Sequence, residues 1–77
     1  MLATHNVKEV TLDQSYIYLN IDGQNFKIVT NKVSKKLTEA NQFQRNFFTI
    51  SPSGYGIHWP MIDEDLSIDS LIKFAQV

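Results

Sequence analysis

The chain has 77 residues, seven Lys and Arg against eight Asp and Glu, and no cysteine. That leaves no room for a second core, no bulk basic field to hold nucleic acid by counterion release, and no disulfide staple or thiolate site. No apolar run approaches the ~20 residues of a membrane span, and MLATHNVKEV lacks the layout of a signal peptide, so a soluble protein of the bacterial cytoplasm is expected.

Val7 to Leu12 reads as a first strand, with Val10 and Leu12 on one face; Val7 breaks the alternation, as a bulge would. Asp22-Gly23 is the sharpest local signal, because a two-residue Asp-Gly loop fits the type I′ hairpin turn and its positive φ angles. If Ile21 faces Gln24, then Ile17, Leu19, Ile21, Phe26 and Ile28 share one sheet face. Tyr16, Tyr18, Asn20, Asn25 and Lys27 then share the other, and a one-residue slip would mix the two sets.

Beyond the hairpin the period becomes helical through Val33, Leu37, Ala40 and Gln44. Ser34 is an N-cap and Asn41 a second one, giving one irregular helix or two short ones. Strand character returns at Phe47 to Ile50, Ser51-Pro52-Ser53-Gly54 reads as a tight turn, and Tyr55 to Trp59 runs back until Pro60 stops it. Ser67 caps a last helix from Ile68 to Phe74, with Asp69 and Lys73 matching its dipole. The order β-β-β-α-β-β-α predicts an α+β fold, a small antiparallel sheet packed by two short helices, with residues 1–77 as a single domain.

The densest chemistry lies in His58-Trp59-Pro60-Met61-Ile62-Asp63-Glu64-Asp65. A metal site there would take His58 with two of the three carboxylates, but adjacent acids on an extended segment diverge, and acids ahead of a helix already gain from its dipole. No serine lies in a nucleophile elbow, and Gly54-Tyr55-Gly56 lacks the Lys and helix of a phosphate loop. No catalytic residue, metal ligand or cofactor is therefore expected. Tyr16, Tyr18 and Lys27 offer aromatics with a cation, which can stack single-stranded bases or, more commonly, form a wet sheet face. Lys32, Lys35 and Lys36 form a solvated basic face, or one that meets an acidic partner. Residues 1–60 hold six bases and four acids while residues 61–77 hold one and four, an asymmetry that permits head-to-tail or heteromeric attraction.

Gly54-Tyr55-Gly56-Ile57-His58-Trp59-Pro60 followed by Ile62-Asp63-Glu64-Asp65-Leu66-Ser67 resembles the C-terminal signature of the prokaryotic family called domain of unknown function 2442. Asp22-Gly23 resembles the family's hairpin turn, and Leu37, Ala40, Gln44 and Arg45 its helix pattern; Phe48 stands where an aromatic is usual. The likeness covers roughly residues 7–72, and departs from the pattern at Lys35 and Lys36, where a proline is usual. The resemblance implies a small α+β fold without an assigned reaction. Some members carry an added helix-turn-helix domain, for which these 77 residues have no room. Standalone members are often encoded beside another small family, domain of unknown function 4160, in an arrangement that looks like toxin–antitoxin pairing. The shared tail also has a structural explanation: Trp59 buries its ring against the hairpin, and Asp63 and Asp65 accept backbone N–H groups in the turn into the last helix.

The expected function is thus a non-catalytic interaction module, the antitoxin-like or regulatory partner of another small protein, which is expected to be an adjacent gene's product. Its expected contact surface is Tyr16, Tyr18 and Lys27, or His58 with Asp63, Glu64 and Asp65. The alternative is single-stranded nucleic-acid binding through the tyrosine face, and an exposed edge strand leaves self-association open.

Overall fold

The computed structural model describes residues 5–76. Strands β1 (Val7–Leu12), β2 (Tyr16–Ile21) and β3 (Gln24–Val29) come first. Asp22 and Gly23 have φ of 53° and 87°, both positive as a type I′ turn requires, and they fix the register Ile21↔Gln24, Leu19↔Phe26, Ile17↔Ile28. Ile17, Leu19, Ile21 and Ile28 are consequently buried and Phe26 half-buried, while Tyr18, Asn25 and Lys27 meet solvent.

The irregularity signalled by Val7 is a bulge. Val7 pairs with Ile21 and Lys8 with Asn20, the ladder then shifts, and Thr11 pairs with Tyr18 and Leu12 with Ile17. Glu9 and Val10 together oppose Leu19, and Glu9 takes a left-handed φ of 55°. The extra residue lets both Val7 and Leu12 point inward. Asp13 closes the next turn, its Oδ1 accepting the N–H groups of Ser15 and Tyr16 at 2.8 and 2.6 Å.

Three short helices follow: α1 (Thr30–Val33), α2 (Lys35–Glu39) and α3 (Gln42–Asn46). The breaks fall at residues that compete for backbone hydrogen bonds. Ser34 Oγ accepts the N–H of Leu37 at 3.1 Å, and Asn41 with Gln44 forms a full capping box. One helical turn already precedes Ser34, so the segment is in three pieces, where one irregular helix or two short ones were expected.

Strands β4 (Thr49–Ile50), β5 (Gly56–Trp59) and β6 (Glu64–Ser67) form a second antiparallel sheet in the order β4-β5-β6. Helix α4 (Ile68–Phe74) starts on Ser67, whose Oγ accepts the Ser70 N–H at 3.1 Å. Strand β7 (Ala75–Gln76) then joins β3, completing a first sheet β1-β2-β3-β7. The fold is mixed α+β, with two sheets and two further strands in addition to the predicted order. Glu64 to Ser67 pair with β5, which corrects the expected carboxylate-capped turn into the last helix.

One core serves both sheets. Trp59 is fully buried among the hairpin aliphatics, Leu37, Ile57, Ile68 and Leu71, with the Phe48 ring 6.0 Å away. Its indole Nε1–H donates to the Arg45 carbonyl at 3.0 Å, which satisfies the one polar atom the ring takes inside. No helix among the described residues is long and apolar enough to cross a membrane.

Candidate functional site

The register of the second sheet aligns Thr49, His58 and Asp65 across three strands on its outer face. His58 Nδ1 lies 2.7 Å from Asp65 Oδ1, a contact that orients the ring. Gly56, on the same strand, leaves a gap in the row, and the face hollows into a concavity of about 380 Å³ lined by Thr49, Ser51, Tyr55, His58, Asp65 and Ser67. Ser51 shapes its rim, its Oγ accepting the N–H groups of Tyr55 and Gly56 at 2.9 and 3.0 Å. Tyr55 and Ile50 stand exposed.

The acidic run of the sequence does not act as one cluster. Glu64 opposes Trp59 and turns to the other face, where its Oε2 accepts the Ser34 hydroxyl and ties β6 to the start of α2. Asp63 takes a left-handed φ of 52°, and its carbonyl accepts Lys36 Nζ at 3.0 Å. His58 thus has Asp65 alone of the three acids expected beside it. Among the described residues no three His, Cys, Asp or Glu side chains come together as a metal would require.

The tyrosine face assembles as a unit. Tyr16 and Tyr18 rings lie 5.9 Å apart, and Asn20 Nδ2 donates to Asn25 Oδ1 at 3.0 Å. Lys27 is the ladder partner of Tyr18, yet its ammonium sits 4.1 Å from the centre of the Tyr16 ring. The cation is already engaged with an aromatic face.

Three features have no counterpart in the sequence reading. Phe43 and Phe47, one helical turn apart, stack on the surface with centroids 6.4 Å apart. Their i, i+4 spacing is visible in the sequence, but it competes with the helical period through Ala40 and Gln44. Arg45 is buried without a carboxylate beside it among the described residues: Nε donates to the Leu37 carbonyl, Nη2 to that of Thr38 and Nη1 to Gln42 Oε1. Those carbonyls end α2, so a cation there meets the negative end of its dipole.

The third is His5. Its ring bridges Asp22 of the hairpin turn, with Nδ1 to Oδ2 at 2.9 Å, and Asp69 of α4, with Nε2 to Oδ1 at 3.0 Å. The Asp22 contact first, then that with Asp69, raises the imidazole pKa above its ordinary value. Asp22 is held below the usual aspartate range by the Asn6 N–H and then by His5, and Asp13 by the N–H groups of Tyr16 and Ser15.

Neither the curated proteins nor the solved structures contain a match to this chain. Residues 7–76 match the family described as "Protein of unknown function (DUF2442)". Trp59, Arg45, Glu64 and the hairpin turn, on which the resemblance drew, hold the fold together, and a match of this extent decides the matter: the chain belongs to that family.

Proposed function

We propose that the chain is a non-catalytic interaction module that docks another small protein, in an antitoxin-like or regulatory pairing, on the outer face of the β4-β5-β6 sheet. The observation that carries this reading is the concavity itself, where an oriented imidazole and a carboxylate adjoin exposed Tyr55. An aromatic anchor beside a few directed polar groups is the usual make-up of an energetically dominant contact. The tyrosine face is the less favoured surface, because a stacking base would have to displace Lys27 from Tyr16.

Co-expression with the product of the adjacent gene, followed by size-exclusion chromatography, tests the reading. The two proteins should co-elute, and Tyr55→Ala and His58→Ala should each weaken the complex by at least about tenfold, as truncated central contacts do. Separate elution of the wild-type pair would defeat the proposal. An intact complex in both variants would defeat the surface.

A further inference from the structure

We propose that His5 is a protonation-dependent strap, closed as imidazolium and loosened as neutral imidazole, that fastens the N-terminal segment to the hairpin turn, the 51–54 turn and α4. Both ring nitrogens lie within hydrogen-bond reach of carboxylate oxygens, from Asp22 and Asp69. Only the imidazolium has an N–H on each nitrogen; the neutral ring turns a lone pair toward one of the two carboxylates.

The surrounding backbone makes this more than a surface ion pair. The His5 N–H donates to the Ser53 carbonyl at 3.1 Å, the Asn6 N–H to Asp22 Oδ1 at 2.8 Å, and the Asp22 N–H to the Asn6 carbonyl at 2.9 Å. Gly54 packs so closely that a Cβ there would lie 1.9 Å from the His5 carbonyl oxygen. The imidazole is 16% exposed, between carboxylates that are 55% and 64% exposed. Among the described residues Asp22 and Asp69 are the titratable groups facing it, while Ser53 and Gly54 present backbone.

The sign follows from the two partners. The carboxylates raise the His5 pKa, so the strap is fully closed below the ordinary imidazole value of 6.5 and opens as pH rises through the higher folded value. It opens again in strong acid, as pH falls through the lowered pKa of Asp22.

An NMR titration of the full chain from about pH 5 to about pH 9 tests this, spanning the range where histidine changes charge. The His5 ring should titrate with a midpoint above 6.5. Across that midpoint the protection factors of the His5, Asn6 and Asp22 amides should fall about two- to fivefold, the range that exposed ion pairs support. Asp69→Asn should lower the midpoint, and His5→Gln should abolish the pH dependence at Asn6 and Asp22. A midpoint at or below 6.5, protection that does not change across it, or the same dependence surviving in His5→Gln would overturn the proposal.

Discussion

Replacing Gly54 by Ala probes how the N-terminal segment is attached. Gly54 has φ of 68°, where an L residue costs about 1–2 kcal/mol. The new Cβ would lie 1.9 Å from the His5 carbonyl oxygen and 2.8 Å from its carbon, and neither neighbour is a side chain that can swing away. The segment must therefore lift. The hydrogen bond from the His5 N–H to Ser53 goes with it, worth about 1 kcal/mol net, so the total loss is about 2–3 kcal/mol before the ring contacts are counted. Gly23 is the control: its φ is 87°, but a Cβ there meets nothing within 4 Å, so Gly23→Ala costs only the dihedral term. Urea unfolding should be measured in the full chain and in one shortened so that its initiator Met replaces Asn6. In the full chain Gly54→Ala should exceed Gly23→Ala by about 1 kcal/mol or more, the value of the lost hydrogen bond, and in the shortened chain the two should be equal. An equal excess in both chains, or none in the full one, would refute the packing argument.

Trp59→Phe should cost about 1–3 kcal/mol by urea unfolding, because it leaves the Arg45 carbonyl buried without its donor. Trp59→Ala should cost about 3–5 kcal/mol, and a loss below ~0.5 kcal/mol in the Phe variant would show that the hydrogen bond does not matter. Asn41→Ala removes the capping box of α3 and should cost about 1 kcal/mol, recovered in large part by Asn41→Ser; equal losses in the two variants would deny the cap its role. Melting temperature should be highest in a middle pH window. The contributions of Asp13 and Asp22 are present above the usual aspartate value of 3.8 and fade as pH falls through their lower folded values, while that of His5 fades as pH rises through its raised one. Asp13→Asn should flatten the acid limb, and an unchanged limb would count against those hydrogen bonds.

The hairpin was readable because two independent signals agreed, a turn dipeptide and a strict alternation around it. Ser34, Asn41 and Ser67 were readable as caps because their chemistry is local. Strand β6 was not, since Asp63-Glu64-Asp65 reads as a charged loop until Glu64 is known to find Ser34 thirty residues earlier in the chain. Strand β7 is two residues long, and its pairing with Lys27 and Ile28 is wholly tertiary. Of the proposed contact residues, His58 and Asp65 meet as ladder partners, and Tyr16, Tyr18 and Lys27 share a face. Glu64 goes elsewhere because neighbours along a strand point to opposite sides, and Asp63 because it lies in the turn before β6 with a left-handed φ of 52°. The His5 bridge joins residues 17 and 64 positions apart, a distance over which no local pattern carries information.

The left-handed Glu9 lies on β1, the border strand of the first sheet. A kinked border presents its amides and carbonyls out of line, with charged Lys8 and Glu9 alongside, so a straight strand from another molecule finds no continuous template there. Growth of the sheet from chain to chain is disfavoured on that side.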